Sequence, residues 1–185
     1  MRLPGLLAVM ALFGASCTTL DPAPLYIDMN YEVRCGDCQP RTVDDPPRDI
    51  KVLDGESGYT LKCDVNAPGG KRQISFSAEH LGAHTSDAFK LSVEQAYLDG
   101  KDPGQACKVR VTEGGNTYVG GCTGGSPTAA NPCQISFTVD AGIVKGSFWC
   151  KALPNGANST TTRDVVAPDT KTDAIKFEVD GCTGL

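Results

Sequence analysis

Cysteine offers this chain more chemistry than any other residue type. The sequence holds nine, at positions 17, 35, 38, 63, 107, 122, 133, 150 and 182. In "RCGDCQP", Cys35 and Cys38 form a Cys-x-x-Cys. Such a pair exchanges disulfides when its first sulfur sits at a helix N-terminus, where the backbone dipole favours the thiolate. That setting needs a helix after the motif, and Pro40 followed by "DDPPRD" opposes one. The pair therefore reads as a structural loop disulfide, and zinc is disfavoured because no second Cys pair repeats the spacing. In "EHLGAH", His80 and His84 lie four apart, with Glu79 and Asp87 nearby. On a helix they would share a metal, but Gly82 separates them and the glutamate is misplaced for a zinc-protease motif. Both histidines read as exposed loop residues. No Gly-x-Ser-x-Gly elbow and no phosphate loop occurs, so no catalytic residue, metal or cofactor is assigned. A glycosidase carboxylate pair is set in space rather than in sequence, and the single Trp speaks against a carbohydrate platform.

An odd cysteine count asks for one residue outside the disulfides, and Cys17 is the best placed. The chain opens with Arg2, continues with the apolar run "LLAVMALF", and reaches Cys17 through Gly14, Ala15 and Ser16. A charged start, a short apolar centre and a small-residue exit are the parts of an export signal. The run is far shorter than the roughly 20 apolar residues of a membrane span. Two exits fit. An ordinary signal peptidase would accept Gly14 and Ser16 before its cut. Alternatively, "GASC" resembles the bacterial lipobox: Ala15, Ser16 and Cys17 match, and Gly14 stands where the family usually has Leu. The resemblance implies that residues 1–16 are removed and that Cys17 is lipidated, carrying a diacylglyceryl thioether and an acylated amine. Two or more chains give stable membrane attachment. Thr18 in place of Asp then implies delivery to the outer membrane. Residues 17–24 become the lipidated Cys and an extended, proline-bearing tether.

Composition narrows the partners. Formal net charge is −5, and no Lys/Arg-rich run occurs. Nucleic acid and anionic lipid headgroups are poor partners for such a surface. Twenty-one Gly and twelve Pro suit many turns and oppose a helical bundle. With Cys17 set aside, an even number of cysteines in an exported chain reads as a disulfide framework.

Alternation predicts the elements that hold those cysteines. "ISFSAEH", "FKLSVEQ", "CKVRVTE", "CQISFTV" and "AIKFEVD" each place apolar side chains on every second residue, the pattern of half-buried antiparallel strands. The predicted core is Leu61, Ile74, Phe76, Phe89, Leu91, Val93, Val109, Val111, Ile135, Phe137, Val139, Val144, Phe148, Ile175, Phe177 and Val179. Trp149, beside Cys150, is expected to pack in that core around a bridge. "EGGN" and "DAG" read as hairpin loops, because glycine tolerates positive φ. "DAFKLSVEQAYL" is read as strand, since its β-branched and aromatic positions alternate better than they wrap. Many short strands between turn signals predict an all-β fold, an antiparallel β-sandwich stapled by disulfides, over residues 54–185. Residues 25–53, with close cysteines, prolines and clustered charge, are expected as an N-terminal arm outside it. "LPNGANSTTTRDVVAPDTKTD" is expected as a long polar loop, and its Asn158-Ser159-Thr160 sequon would be unused in a bacterial lipoprotein.

"GYTLKCDV", "GSFWCKAL" and the final "FEVDGC" set cysteines on an early, a late and the last strand. In this the body is similar to small β-rich surface lipoproteins of the mycobacterial 19-kDa antigen type. That resemblance implies a Cys63–Cys182 bridge. Antiparallel pairing would bring Cys107 to Cys122 around "EGGN", and Cys133 to Cys150 around "DAG". Cys35 and Cys38 are left for each other.

The function expected is an outer-membrane lipoprotein, anchored through its lipid, whose head is a non-enzymatic binding, adhesion or envelope-assembly module for a protein partner. The rival is an extracytoplasmic thiol–disulfide redox protein using Cys35 and Cys38. A third reading is an envelope inhibitor or chaperone of a secreted partner.

Overall fold

The computed structural model describes residues 23–35, 47–82, 88–97, 107–168 and 171–185. The lipobox with Cys17, Cys38 and His84 lie outside them. The fold is all-β, with strands β1 (Tyr26–Cys35), β2 (Arg48–Leu53), β3 (Tyr59–Asn66), β4 (Gln73–His80), β5 (Phe89–Tyr97), β6 (Lys108–Glu113), β7 (Asn116–Thr123), β8 (Cys133–Asp140), β9 (Ile143–Pro154), β10 (Thr162–Val166) and β11 (Ile175–Asp180). Each alternating segment of the sequence forms the strand its period requires. The segment that could have wound into a helix is β5, which pairs with β4 on one side and, from Phe89 to Glu94, with β6 on the other.

One half is the antiparallel meander β3-β4-β5-β6-β7. The other runs β8-β9, then a shared slot, then β1-β2. β10 and β11 fill that slot end to end. Both lie antiparallel to β1 and to β9, so they act as one strand interrupted by an excursion, closed by the Ala167 N–H to the Asp173 carbonyl. The halves join where β7 and β8 pair in parallel at Cys122–Cys133 and Thr123–Gln134. Their inner faces meet in one core: the Phe76 and Phe177 rings are 4.9 Å apart, and Tyr31 meets Phe89 edge-on at 6.3 Å. Gly146 is obligatory between Phe137 and Phe177, because a Cβ there would overlap the Ser136 carbonyl and crowd the Phe177 ring.

Three expectations need correction. Residues 25–53 are not an arm. They supply β1 and β2, and β1 is an interior strand that buries Ile27, Met29, Tyr31 and Val33. The long polar loop instead contains the end of β9 and all of β10, with Leu153 and Val165 buried. Trp149 does not pack in the core. It stands on the outer face between buried Phe148 and Cys150 and donates to Gln134 Oε1 at 2.9 Å.

Each half carries a β-bulge of the same design. Gln95 and Ala152 adopt φ of 53°, where the ladders of β4–β5 and β9–β10 shift register. The N–H freed at each bulge is taken up by a neighbouring strand's side chain: Ser75 Oγ accepts from Gln95 at 2.9 Å, and Asp164 Oδ1 from Ala152 at 2.8 Å. A bulge leaves a backbone group outside the ladder, and a short oxygen-bearing side chain satisfies it.

Each outward residue of β3 has a bonded backbone group. Tyr59 C=O accepts from Gly55, Leu61 N–H donates to Asp54, and Cys63 and Val65 exchange bonds with Thr183. The segment after β11 thus covers an edge that would otherwise invite another chain. Gly184 permits it, since a Cβ there would overlap the Val65 carbonyl.

Candidate functional site: disulfide lacing and serine-floored grooves

The structure joins Cys63 to Cys182, Cys107 to Cys122 and Cys133 to Cys150. Cys35, buried at the end of β1, is also disulfide-bonded, and Cys38, its expected partner, lies outside the described residues. Cys63–Cys182 ties the edge strand of one half to the segment after the last strand of the other. The other two bridges form a row. Because Cys122 and Cys133 are register partners, Cys107, Cys122, Cys133 and Cys150 lace β6, β7, β8 and β9 side by side across the corner where the halves join. All four are buried. Thiol–disulfide exchange needs access of an attacking thiolate to sulfur, so this row braces the fold rather than turning over.

A second constellation links the halves at the end away from that row. Glu113, at the foot of the "EGGN" turn, has a side chain only 2% exposed. Its Oε2 accepts from the Arg48 guanidinium at 2.8 Å, and its Oε1 accepts from the Tyr31 hydroxyl at 3.0 Å. Tyr31 and Arg48 are cross-strand partners on β1 and β2. A buried carboxylate is tolerable only when paired and hydrogen-bonded, and both conditions hold. Burial first, and the Glu113 charge second, push the Tyr31 hydroxyl well above its ordinary pKa of 10.0. Phe89 lies under Arg48 at 5.1 Å, in cation–π range. His80 is not an exposed loop residue: it ends β4, half-buried, with its ring 4.8 Å from Tyr59 and 5.9 Å from Phe89. The Tyr31 hydroxyl and the Arg48 guanidinium converge on the Glu113 carboxylate, with the Phe89, Tyr59 and His80 rings packed beside them, which makes a clamp.

The accessible concave surfaces lie on the outer faces. On β8, β9, β11 and β1 a groove of about 590 Å³ runs over Ser136, Ser147 and Thr138. Lys145 and Glu178 pair across it at 3.2 Å, and the Ser136 and Ser147 hydroxyls are 3.2 Å apart. The opposite face has a groove of about 390 Å³ over Ser75, Ser77 and Ser92, flanked by the Arg110–Glu94 and Lys90–Glu79 pairs. Short outward serines between longer charged neighbours make both depressions. They offer hydroxyls, ammonium or guanidinium groups and carboxylates to a polar ligand. Nucleophilic catalysis would require a base within hydrogen-bond reach of a serine. In the first groove Ser136 and Ser147 bond each other and Glu178 is engaged by Lys145; in the second, the Ser92 hydroxyl donates to Glu94 Oε1 at 3.4 Å, and Glu94 also faces Arg110.

The grooves were missed from sequence, although their signal was present: outward positions of "ISFSAEH", "FKLSVEQ", "CQISFTV" and "GSFWC" are serines. The Tyr31–Arg48–Glu113 clamp left no such trace. Among the described residues no three His, Cys, Asp or Glu side chains gather as a metal site, and no helix is long and apolar enough to cross a membrane. Comparison with protein-family models, with curated proteins and with solved structures returned no match to this chain.

Proposed function

We propose that the protein is an envelope lipoprotein, attached to the outer membrane through acylated Cys17, whose β head binds a protein partner without catalysing a reaction. The observation that carries this reading is how the cysteines are used. Buried disulfides tie strand to strand across the whole head, and such bridges persist in oxidising compartments outside the cytoplasm. The lipobox-like exit gives the export signal a cysteine to end on, and an odd total leaves one cysteine for that use. The polar grooves on both outer faces supply recognition surfaces. The redox reading is less well supported, because Cys35 is buried at a strand end and a redox Cys-x-x-Cys needs an accessible sulfur.

Mass spectrometry of the native protein tests the anchor. The expected N-terminal fragment begins at Cys17 with a diacylglyceryl thioether and an N-acyl group, and Cys17→Ser releases the protein from the envelope fraction. A free thiol at Cys17, or a wild-type protein recovered soluble, would overturn it. Crosslinking in intact envelopes tests the binding role, with a specific protein adduct as the expected result.

A further inference from the structure

The two grooves differ in charge. In the one over Ser136 and Ser147, Lys145 and Lys176 are balanced by Asp28 and Glu178. In the one over Ser75, Ser77 and Ser92, the cations Lys62, Lys90 and Arg110 exceed the carboxylates Asp64 and Glu94. The formal net charge of the chain is −5, so this local excess runs against the average of the molecule.

Strand register sets that excess in a row. Lys62 on β3 pairs with Ser77 on β4, Ser77 with Ser92 on β5, and Ser92 with Arg110 on β6. With strands about 4.8 Å apart, the row is roughly 14 Å from end to end. A long cationic side chain stands at each end, with two hydroxyls between. Ser92 is 6% exposed and forms the floor. The Lys62 ammonium and the Ser77 hydroxyl have no partner among the described residues. Lys90, outside the row, is held by Glu79 at 2.8 Å.

One carboxylate already lies over this row. Glu94 Oε1 accepts from the Ser92 hydroxyl at 3.4 Å and faces the Arg110 guanidinium at 3.8 Å. Both contacts are longer than the roughly 2.5–2.9 Å of a charge-assisted hydrogen bond. The Glu94 side chain is 43% exposed and that of Arg110 is 41% exposed, so water competes for the pair. Glu94 reaches one end of the row only, and Lys62 at the other end stays uncompensated.

We propose that the row is a carboxylate subsite. It takes an Asp or Glu side chain from an acidic segment of a protein partner, and Glu94 is the internal competitor that this side chain displaces. The incoming carboxylate accepts from the Ser77 and Ser92 hydroxyls with Lys62 and Arg110 on either side, and Glu94 turns out to solvent. Two cations and two hydroxyl donors then serve one anion, where Glu94 engages one of each. This inference rests on the reading of the head as a protein-binding module, and it names the chemistry that the partner presents.

Calorimetric titration of the full-length lipoprotein in nonionic detergent, at low salt, with a capped hexaglutamate peptide tests it. The wild type is expected to bind, and added salt to weaken the binding by screening. Glu94→Gln removes the competitor and is expected to bind roughly threefold or more tightly. Lys62→Ala with Arg110→Ala is expected to bind roughly tenfold or more weakly. Lys176→Ala, which takes a cation from the other groove, is expected to bind as the wild type does. Failure of both the wild type and Glu94→Gln to bind the peptide would overturn the proposal. So would weaker binding by Glu94→Gln, or equal losses in Lys176→Ala and the double-alanine variant. Saturable binding of inorganic phosphate where hexaglutamate fails would overturn it in favour of a free-anion site. In intact envelopes, a partner crosslinked equally to the wild type and to the double-alanine variant would overturn the subsite and leave the binding role standing.

Discussion

The Tyr31 hydroxyl donates to Glu113 from a ring that is fully buried, and its proton is held there by burial and by the neighbouring carboxylate. In the unfolded chain the phenol ionises near 10.0. In the folded protein it does not until higher pH. Its contribution to stability is thus complete below about pH 10 and is lost above it, as the unfolded form alone sheds the proton. Tyr31→Phe is expected to cost about 1 kcal/mol at pH 7 through the lost hydrogen bond. Above pH 10 the gap between the wild type and this variant should close, which urea unfolding at pH 7 and pH 10.5 would show. None of this was legible in the sequence. Tyr31 and Glu113 are 82 residues apart and Arg48 and Glu113 are 65 apart. Glu113 sits at the foot of a glycine turn, where a carboxylate reads as solvated. Only the approach of the two sheet halves makes it a buried partner.

Strands are where the sequence spoke most clearly, and the exceptions have physical causes. β4, β5, β6, β8 and β11 face the core on one side and water on the other, so their residues alternate. β1 alternates too, in Ile27, Met29, Tyr31 and Val33, but Asp28, Glu32 and Arg34 gave it the look of an arm. Glu32 is buried and pairs with Arg34 on the same strand, so the charge that suggested exposure is neutralised within the sheet. β10 is short and carries Asp164 inside, where its carboxylate caps the bulge at Ala152. A polar residue spent on a bulge cannot be told from a loop residue without knowing that the bulge exists. Ala152 also holds a left-handed φ that glycine adopts without penalty. Ala152→Gly is expected to stabilise the protein by roughly 0.5–1 kcal/mol, while Asp164→Ala should cost about 1–3 kcal/mol by leaving that N–H unsatisfied. Thermal melts of both variants check the signs.

At the scale of the whole molecule, the bridges differ in how much chain they close. Cys63–Cys182 spans 119 residues, and Cys107–Cys122 spans 15. By loop-closure entropy, the paired substitution Cys63→Ala with Cys182→Ala is expected to lower stability by about 4–5 kcal/mol, and Cys107→Ala with Cys122→Ala by about 3 kcal/mol. Urea midpoints should fall in that order. The long bridge also imposes a timetable on the protein's making. A polypeptide delivered N-terminus first presents Cys63 to an oxidant well before residue 182 has arrived, and Cys107, Cys122, Cys133 and Cys150 all pass by in between. Joining each thiol to the next one to emerge would trap Cys63 with the wrong mate. Under the export proposed above, maturation to the native head calls for Cys63 to stay reduced until residue 182 has arrived, or for a disulfide-shuffling helper to undo the first mistake.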